Sequence, residues 1–472
     1  MLSGCLAGPS YKRPEVTTPP AFKEAPSAQN GWVPSQPMDT IDRGAWWAAF
    51  NDPLLDGLEQ KVKVSNQNVA EAVAAYDQAR ALTAADRAGF FPTLTGTGSA
   101  TRSGAGSRTS STSTSTGSTT GTGSYAVSSY GASLGASWAP DVWGRLRRQV
   151  QSDVAAAQAS AADLANATLS AQAELAIDYL TLRILDEEKR LFDDTVKADQ
   201  RSYDITLNKY KAGTAAKADV ITAQTQLLAA QAQAIDVGVQ RAQTEHAIAV
   251  LAGMAPAELT IAVLPNLSET VPTAPLVVPS VVLQRRPDIA AAERKAASAS
   301  ALIGVQVAAY YPTISLTGSF GYDSSSIGNL FNTANEVWSL GGSAAETLLD
   351  FGARQAKVRE AKAAYAQSVA TYRQTVLSAF QQVEDELVAL RVLEQEAKVR
   401  DQTLASARQA VDLTLNEYKA GTVDYTSVVT AQTTALSAAQ SVLSVLQQRQ
   451  IASVTLIEAL GGGWTAADLP RR

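Results

Sequence analysis

The sequence predicts a mainly α-helical chain with a smaller β part, built from a unit of two strands and a long helical hairpin that is used twice. Two observations lead to this prediction. The pentapeptide Tyr-Lys-Ala-Gly-Thr at 210–214 recurs at 418–422, which is 208 positions later. Each copy lies between long Ala- and Gln-rich stretches with almost no Pro and little Gly. A Gly inside such a pattern is a common left-handed helix stop, so each copy is predicted to be the tip of a helical hairpin.

The composition argues against several classes of function. The chain has 472 residues and a formal charge of −6, which gives no reason to expect a nucleic-acid partner. One His and one Cys leave almost no material for metal sites or for Cys–His catalysis, so neither an enzyme nor a cofactor is expected. The chain contains no run of eighteen or more apolar residues, so no transmembrane helix is predicted.

The N-terminal region, residues 1–53, is predicted to be a lipoprotein start followed by an extended strap. Leu-Ser-Gly-Cys at 2–5 has the form of a bacterial lipoprotein processing site, so acylation by a palmitate-type chain is expected at Cys5. A chance tetrapeptide with a free thiol is the alternative. The Pro-rich stretch that follows cannot form long helices. Asp52-Pro53 after a pair of tryptophans is a helix-start signal.

The first repeat is predicted over 54–253. Apolar residues at three- and four-residue steps predict a helix over 54–88. The low-complexity Ser/Thr/Gly segment 104–123 is predicted to be disordered. The stretch 145–211 contains no Pro and no Gly, which predicts a helix about 100 Å long. A helix of this length suits a coiled coil or a helical tube. The elements after the first helix are strands at about 93–102 and 125–139, a long helix over 144–211, the tip at 210–214 and a return helix.

The second repeat is predicted over 287–460 and follows the same order. Pro287 and Asp288 mark its first helix. Arg285 and Arg286 are expected to form a salt-bridged corner with Asp288, with an anion site as the alternative. Its remaining elements are strands at about 313–323 and 337–348, a long helix over 352–420, the tip at 418–422 and a return helix. The irregular segments are an equatorial linker at 254–286 and a C-terminal tail at 461–472.

The predicted strands alternate between apolar and small polar residues. Tyr130, Leu134 and Trp138 fall on one face of such a strand, and Leu316 and Phe320 do so in the second repeat. One apolar face and one small polar face suit a strand between lipid and a water-filled lumen. A strand of a soluble sandwich would show the same pattern, so both interpretations stay open.

These residues together resemble the bacterial outer-membrane efflux factor family, the TolC-like channels, in its OprM-like, NodT-type lipoprotein branch. The resemblance covers nearly the whole chain. It depends on the order of several motifs, each of which is weak alone. They are the Leu-Ser-Gly-Cys start, Gly-Pro-Ser-Tyr-Lys-Arg-Pro at 8–14, Trp-Trp to Asp-Pro-Leu at 46–54, Arg-Arg-Pro-Asp-Ile at 285–289, the two tips, and Leu-Gly-Gly-Gly-Trp at 460–464.

The resemblance implies a homotrimer in which a twelve-stranded transmembrane β-barrel is continued by a twelve-helix periplasmic α-barrel. It implies an equatorial belt near 6–53, 253–286 and 461–472. The implied function is the exit duct of a tripartite efflux system in the outer membrane, contributing to multidrug resistance. The implied partners are outer-membrane lipid, a periplasmic adaptor protein and an inner-membrane RND-type pump. Energy would come from the pump, because the chain contains no Walker A motif.

The resemblance also implies roles for residues at the tips. Many relatives carry an Asp where this chain has Thr430 and an Arg where it has Thr433. Lys211 and Lys419 could alternatively stabilise the C-terminal ends of their helices. The aperture candidates are Asp219, Tyr418, Thr426, Thr430 and Thr433. The adaptor-contact candidates are Lys211, Gly213, Thr214, Lys419, Gly421 and Thr422.

Three tryptophans near strand ends, Trp138, Trp143 and Trp338, are expected in a membrane-interface belt, with internal packing as the alternative. Two other functions stay open from the sequence. The duct could carry a secreted polypeptide, as in type I secretion. A non-conducting coiled-coil scaffold is less favoured, since a rod needs no pair of strands at the same place in each repeat.

Overall fold

The computed structural model describes residues 6–24, 43–105, 125–264, 270–272, 282, 285–464 and 469–470. Cys5 and most of the predicted disordered segment lie outside these residues. The chain divides into two compact units. One contains 1–13, 79–157 and 295–368, and the other contains 14–78, 158–294 and 369–472. Among the described helices, none is both long enough and apolar enough to cross a membrane.

The elements follow the duplicated order that the sequence predicts. The helices of the first repeat are α1 (Pro53–Ser65), α2 (Gln67–Ala88), α3 (Arg145–Lys211) and α4 (Lys217–Leu251). Those of the second repeat are α5 (Pro287–Ala308), α6 (Ala353–Ala420) and α7 (Tyr425–Ala459). The strands are β1 (Thr93–Ala105), β2 (Tyr125–Trp138), β3 (Thr313–Ser324) and β4 (Glu336–Ala345).

The prediction of one continuous helix over 54–88 is wrong, because Asn66 divides it into α1 and α2. Asn66 has an extended backbone (φ −65°, ψ 127°). Its Oδ1 accepts hydrogen bonds from the backbone N–H groups of Asn68 (2.9 Å) and Val69 (3.1 Å), and its Nδ2 donates to the carbonyl of Leu251 (2.8 Å). A short amide side chain that bonds nearby backbone groups starts a new helix at this position.

Two strand boundaries also differ from the predictions. Strand β1 continues to Ala105, so the start of the predicted disordered segment is paired with β2. Strand β4 ends at Ala345 instead of 348. The reason is Arg354, whose guanidinium binds the Glu346 carboxylate at 2.5 Å and also the carbonyl of Thr347. Because the carbonyl of Thr347 accepts a hydrogen bond from this arginine side chain, it does not pair with a neighbouring strand.

The four strands form one antiparallel sheet in the order β1-β2-β3-β4. The register places even-numbered residues of all strands on one face, so that Leu134 lies opposite Gly96 and Phe320. The other face carries hydroxyls, and Thr97 pairs with Ser133 at 2.7 Å between their oxygens. The predicted alternation of an apolar face and a small polar face is therefore confirmed.

The second unit has an apolar core between its helices. Leu55 and Val62 of α1 pack with Leu175 and Tyr179 of α3 and with Ile248 of α4, and all five are almost completely buried. The hydroxyl of Tyr179 also donates a hydrogen bond to the carboxylate of Asp52, which caps α1. The Asp-Pro start signal thus anchors α1 to α3.

Part of the N-terminal strap lies on α6 in this second unit. Phe22 is 6% exposed and contacts Phe380 edge-to-face, with ring centroids 6.3 Å apart. The Glu384 carboxylate accepts hydrogen bonds from the backbone N–H groups of Lys23 (2.7 Å) and Glu24 (2.9 Å). This part of the strap is not paired in a sheet, so its backbone N–H groups donate hydrogen bonds to a side chain of α6 instead.

The start of the described chain is held in the first unit. Arg148 donates to the carbonyls of Ala7 (2.8 Å) and Gly8 (3.0 Å). Gly8 has φ +84°, and a Cβ there would lie 2.4 Å from the Cα of Gly304. The pair of glycines allows the strap backbone to touch α5 directly.

Candidate functional site: the hairpin tips

Both tips end their long helices with the same hydrogen bonds. Gly213 and Gly421 have φ of +75° and +82°, the left-handed conformation that favours glycine. The N–H of Thr214 donates to the carbonyl of Lys209 at 2.9 Å, and the N–H of Thr422 donates to the carbonyl of Glu417 at 3.0 Å. These six-residue closures are Schellman motifs, which use up carbonyls that a helix end otherwise leaves free.

The threonine of each tip bonds the same carbonyl a second time. The Oγ1 atoms of Thr214 and Thr422 donate to the carbonyls of Lys209 and Glu417, both at 3.0 Å. The tip sequence thus contains its own cap, which explains why Gly and Thr follow each other in both copies. Lys211, like Lys419, is exposed in the last turn of its helix.

The return helices begin with an acidic residue. Asp424 caps α7, and its Oδ1 accepts from the Ser427 N–H (3.0 Å) and hydroxyl (2.6 Å). These bonds lower the pKa of Asp424. Asp219, the acidic aperture candidate, is partly exposed in the first turn of α4 and accepts from the N–H of Ala216 at 3.3 Å.

The two tip tyrosines have different environments although their pentapeptides are identical. Tyr210 is 42% exposed, whereas Tyr418 is 4% exposed. The ring of Tyr418 contacts Tyr425 edge-to-face with centroids 5.4 Å apart, in a cluster with Ala223 and Val428. The ring of Tyr418 is therefore covered by neighbouring side chains in this chain, whereas that of Tyr210 is partly open to solvent.

The three candidate threonines of α7 are exposed. Thr430 donates its hydroxyl hydrogen to the carbonyl of Thr426 (2.9 Å), and Thr433 donates to that of Val429 (2.9 Å). Hydroxyls bonded to the preceding turn keep their lone pairs free toward solvent. This part of α7 therefore offers neutral hydrogen-bond acceptors to solvent.

A buried acid, Asp199, lies on α3 before the first tip and was not among the residues predicted from the sequence. Asp199 of α3 is 2% exposed, and its Oδ2 has no hydrogen-bond partner. Burial raises the pKa of Asp199 to about 6. Burial and then the Asp199 charge raise the pKa of Tyr425 to about 12. The signal was the helical spacing of Asp199 with Ser202 and Thr206, which are buried on the same face of α3.

The tryptophans take three different environments in the first unit. The indole N–H of Trp143 donates to the carbonyl of Pro312 (2.8 Å), and its ring stacks on Tyr311 at 4.9 Å. Trp138 donates to the carbonyl of Phe90 (3.0 Å) and is 37% exposed. Trp338 is 73% exposed on the apolar face of β4. The geometry of Trp143 is that of a packed residue, and that of Trp338 suits contact with lipid.

The predicted salt-bridged corner is confirmed, since Arg286 binds Asp288 at 2.7 Å and also donates to the carbonyl of Ala459 at 3.0 Å. Within the described ranges, no group of three or more His, Cys, Asp or Glu side chains could hold a metal ion.

Comparison with known proteins agrees with this description. A family model described as "Outer membrane efflux protein" matches residues 58–254 and 278–462, one segment for each repeat. The probable efflux pump outer membrane protein TtgC of Pseudomonas putida is 29% identical over 467 residues, which cover 98% of this chain and 94% of TtgC. The cation efflux system protein CusC of Escherichia coli is 27% identical over 468 residues, covering 98% of this chain and 96% of CusC.

A solved structure shows the same fold. The outer-membrane channel OprN superposes with a TM-score of 0.85 at 28% identity, covering 98% of this chain and 100% of that chain. The resemblance found in the sequence motifs is confirmed by these matches. The chain belongs to the outer membrane efflux protein family and is an outer-membrane protein with a long periplasmic part.

Proposed function

We propose that three copies of this chain form the exit duct of a tripartite efflux system. The observation that carries the proposal is the four-stranded sheet with one apolar and one hydroxyl-bearing face. Strands β1 and β4 are paired on one side only, and open sheet edges do not occur in lipid. Strands from two further copies would close the sheet into a twelve-stranded barrel, with the apolar face toward lipid and the hydroxyls toward water.

The helices would continue this passage through the periplasm. Helices α3 and α6 have 67 and 68 residues, so each is about 100 Å long. Apolar side chains of α6 such as Leu377, Val392 and Val399 are exposed in the single chain, as expected if further copies of the chain cover them. Three copies would give a twelve-helix tube.

The strap, linker and tail would form the equatorial belt around that tube. The linker is bonded to the helices of the second unit, since Arg183 donates to the carbonyl of Ala262 (2.8 Å) and Arg241 to that of Ile261 (2.7 Å). The tail is held by Gln158, which donates to the carbonyl of Pro470 (3.2 Å). These contacts give each irregular segment of the belt a fixed partner.

The N-terminus would carry a lipid anchor at Cys5. The N–H of Ala7 donates to the carbonyl of Trp143 (3.1 Å), and Leu6 packs against Gly144. The first described residues after Cys5 are thus held at the connection between β2 and α3.

The duct would be passive, with direction and energy supplied by an inner-membrane RND-type pump through a periplasmic adaptor. The exposed tip residues Lys211, Thr214, Lys419 and Thr422 are the proposed adaptor contacts. The proposal assigns no chemical step to the chain. The names of two relatives, the efflux pump protein TtgC and the cation efflux protein CusC, support small molecules or ions as cargo.

Accumulation of a fluorescent dye in cells that lack this gene tests the proposal. We expect higher accumulation, reversed by the wild-type gene and by Ala420→Ser, but not by Ala420→Pro. Proline removes a helix hydrogen bond in the last turn of α6 and deforms the tip. Unchanged accumulation in a strain that also lacks related ducts would contradict small-molecule efflux and favour polypeptide secretion instead.

A further inference from the structure

Two carboxyl groups of the first unit meet between the end of α2 and the start of α3. Asp153 of α3 is 6% exposed, and its Oδ1 accepts a hydrogen bond from Nε2 of Gln149 at 3.0 Å. Its Oδ2 is buried and has no hydrogen-bond partner. Burial, followed by the hydrogen bonding and then the charge of Asp86 on α2, raises the pKa of Asp153 to about 6. The Asp86 carboxyl therefore lies within hydrogen-bond reach of a buried carboxyl whose second oxygen has no donor.

No basic side chain neutralises this pair within the part of the chain that the structure describes. The charge that acts on Asp153 is that of Asp86, and no Arg or Lys contributes to it. Arg148 donates its hydrogen bonds to backbone carbonyls of the strap, and Arg145 is exposed to solvent. Two ionised carboxylates at such a distance repel each other, and buried charges are stable when they are paired or bind a metal ion.

A cavity of about 380 Å³ reaches this place from outside. Asp86 and Gln149 line it, and α5 contributes apolar residues such as Val305. Asp141 also lines the cavity, but both its oxygens already accept hydrogen bonds from backbone N–H groups at the start of α3. A water molecule takes up about 30 Å³ of liquid, so the cavity has room for an ion together with several waters.

We propose that Asp86 and Asp153 bind one hydrated divalent cation of the Mg²⁺ or Ca²⁺ class. Hard divalent cations prefer carboxylate oxygens, and Mg²⁺ commonly keeps several waters while one or two carboxylates hold it. The unpartnered Oδ2 of Asp153 would supply one ligand and the Asp86 carboxylate another, with water from the cavity in the remaining positions. The proposal stands on these contacts and does not depend on the proposed duct.

The position of the pair gives the cation a structural role. Asp86 lies in the last turn of α2, shortly before β1 begins at Thr93, and Asp153 lies in the third turn of α3, shortly after β2 ends at Trp138. A cation held by both carboxylates would join the two helices where the paired strands β1 and β2 leave them. Its removal should leave the repulsion between the carboxylates and loosen this junction.

Matched variants separate this site from general effects of charge. Asp153→Asn and Asp86→Asn each remove one carboxylate and keep the size of the side chain. An Asn can also donate a hydrogen bond to the remaining Asp, so neither variant leaves an unpaired buried charge. Glu71→Gln removes an exposed carboxylate of the same helix α2 and makes the same change in net charge.

Calorimetric titration of the chelator-treated full-length protein with MgCl₂ or CaCl₂ measures the binding directly. The protein is kept in an uncharged detergent, because lipid phosphates would themselves bind the cation, and NaCl holds the ionic strength constant. We expect one site per chain in wild type and in Glu71→Gln, and no such site in Asp86→Asn or Asp153→Asn. No binding to wild type, or unchanged binding to Asp153→Asn, would overturn the site and leave a shared proton as the link.

Hydrogen exchange of the unaltered wild type locates the cation without any substitution. At a free cation concentration ten times the dissociation constant, opening of the site is suppressed about tenfold. We therefore expect the amides of 83–88 and 149–156 to exchange about tenfold more slowly with the cation than with the chelator. Cation binding that leaves exchange in both segments unchanged would place the ion elsewhere and overturn the assignment to this pair.

Discussion

Substitution of adjacent residues in β2 provides a matched test of the two faces of the sheet. Leu134 lies in the middle of the paired part of β2, opposite Gly96 and Phe320, and is 53% exposed on the apolar face. Ser133 is the next residue and points to the other face, where its hydroxyl meets that of Thr97. The variants Leu134→Arg and Ser133→Arg place the same charge at almost the same height on opposite faces.

The expected difference is large. An arginine on the lipid side of a membrane strand costs about 2–4 kcal/mol near the bilayer midplane, whereas the water-filled side costs little. This corresponds to a shift of about 30-fold to several-hundred-fold in the folding equilibrium for Leu134→Arg relative to Ser133→Arg. The loss of the leucine side chain adds to the cost in the same direction.

Folding into phospholipid vesicles, followed by urea titration and gel mobility without heating, measures this difference. Leu134→Arg should unfold at clearly lower urea, and Ser133→Arg should stay close to the wild type. Equal destabilisation by both variants, or a larger effect of Ser133→Arg, would refute the assignment of the even-numbered face to lipid.

Three further predictions concern the tips and the N-terminus. Because burial holds the pKa of Asp199 at about 6, above the usual 3.8, its contribution to stability is full below pH 3.8 and is lost as the pH rises to about 6. Asp199→Asn should remove this decline, which is at most about 3 kcal/mol, in urea titrations at about pH 4 and pH 7; an unchanged decline would contradict the assignment. Gly421→Ala should cost about 1–2 kcal/mol at the tip, since φ is +82° and no atom lies within 4 Å of the new Cβ. Hydrogen exchange at the tip should rise accordingly, and an effect no larger than that of an exposed Ala→Ser change elsewhere in the helix would argue against the left-handed stop. Gly304→Val should release the N-terminal strap, because a Cβ there would lie 2.8 Å from Arg148 and 2.9 Å from the carbonyl of Ala7. Limited proteolysis should then cut the strap faster than in wild type, and equal rates would contradict the direct backbone contact.

Much of the fold follows from local signals in the sequence. The glycine of each pentapeptide ends a helix because of its own backbone freedom, and the alternation in β2 and β3 directly gives the two faces. The break at Asn66 was missed, since the helical periodicity continues across it. The Asn66 side chain starts α2 through its bonds to Asn68 and Val69, and its further bond to Leu251 depends on the tertiary fold. Side-chain bonding of this kind depends on which segment lies nearby.

The candidate site was less predictable than the fold. Tyr418 was one of the aperture candidates, and in the structure its ring is buried in a cluster with Ala223, Tyr425 and Val428. Periodicity within one helix does not show which helix lies opposite, so this burial could not be predicted from the sequence.

The central claim is that this chain forms a water-filled duct, and the conductance of the purified wild-type protein in planar lipid bilayers tests it most directly. A barrel closed from this sheet with its hydroxyl-bearing face toward the lumen, as proposed, would give discrete conductance steps that scale with salt concentration. A protein that inserts and migrates as an oligomer on unheated gels, yet gives no conductance steps, would contradict the duct and leave a structural role as the better explanation.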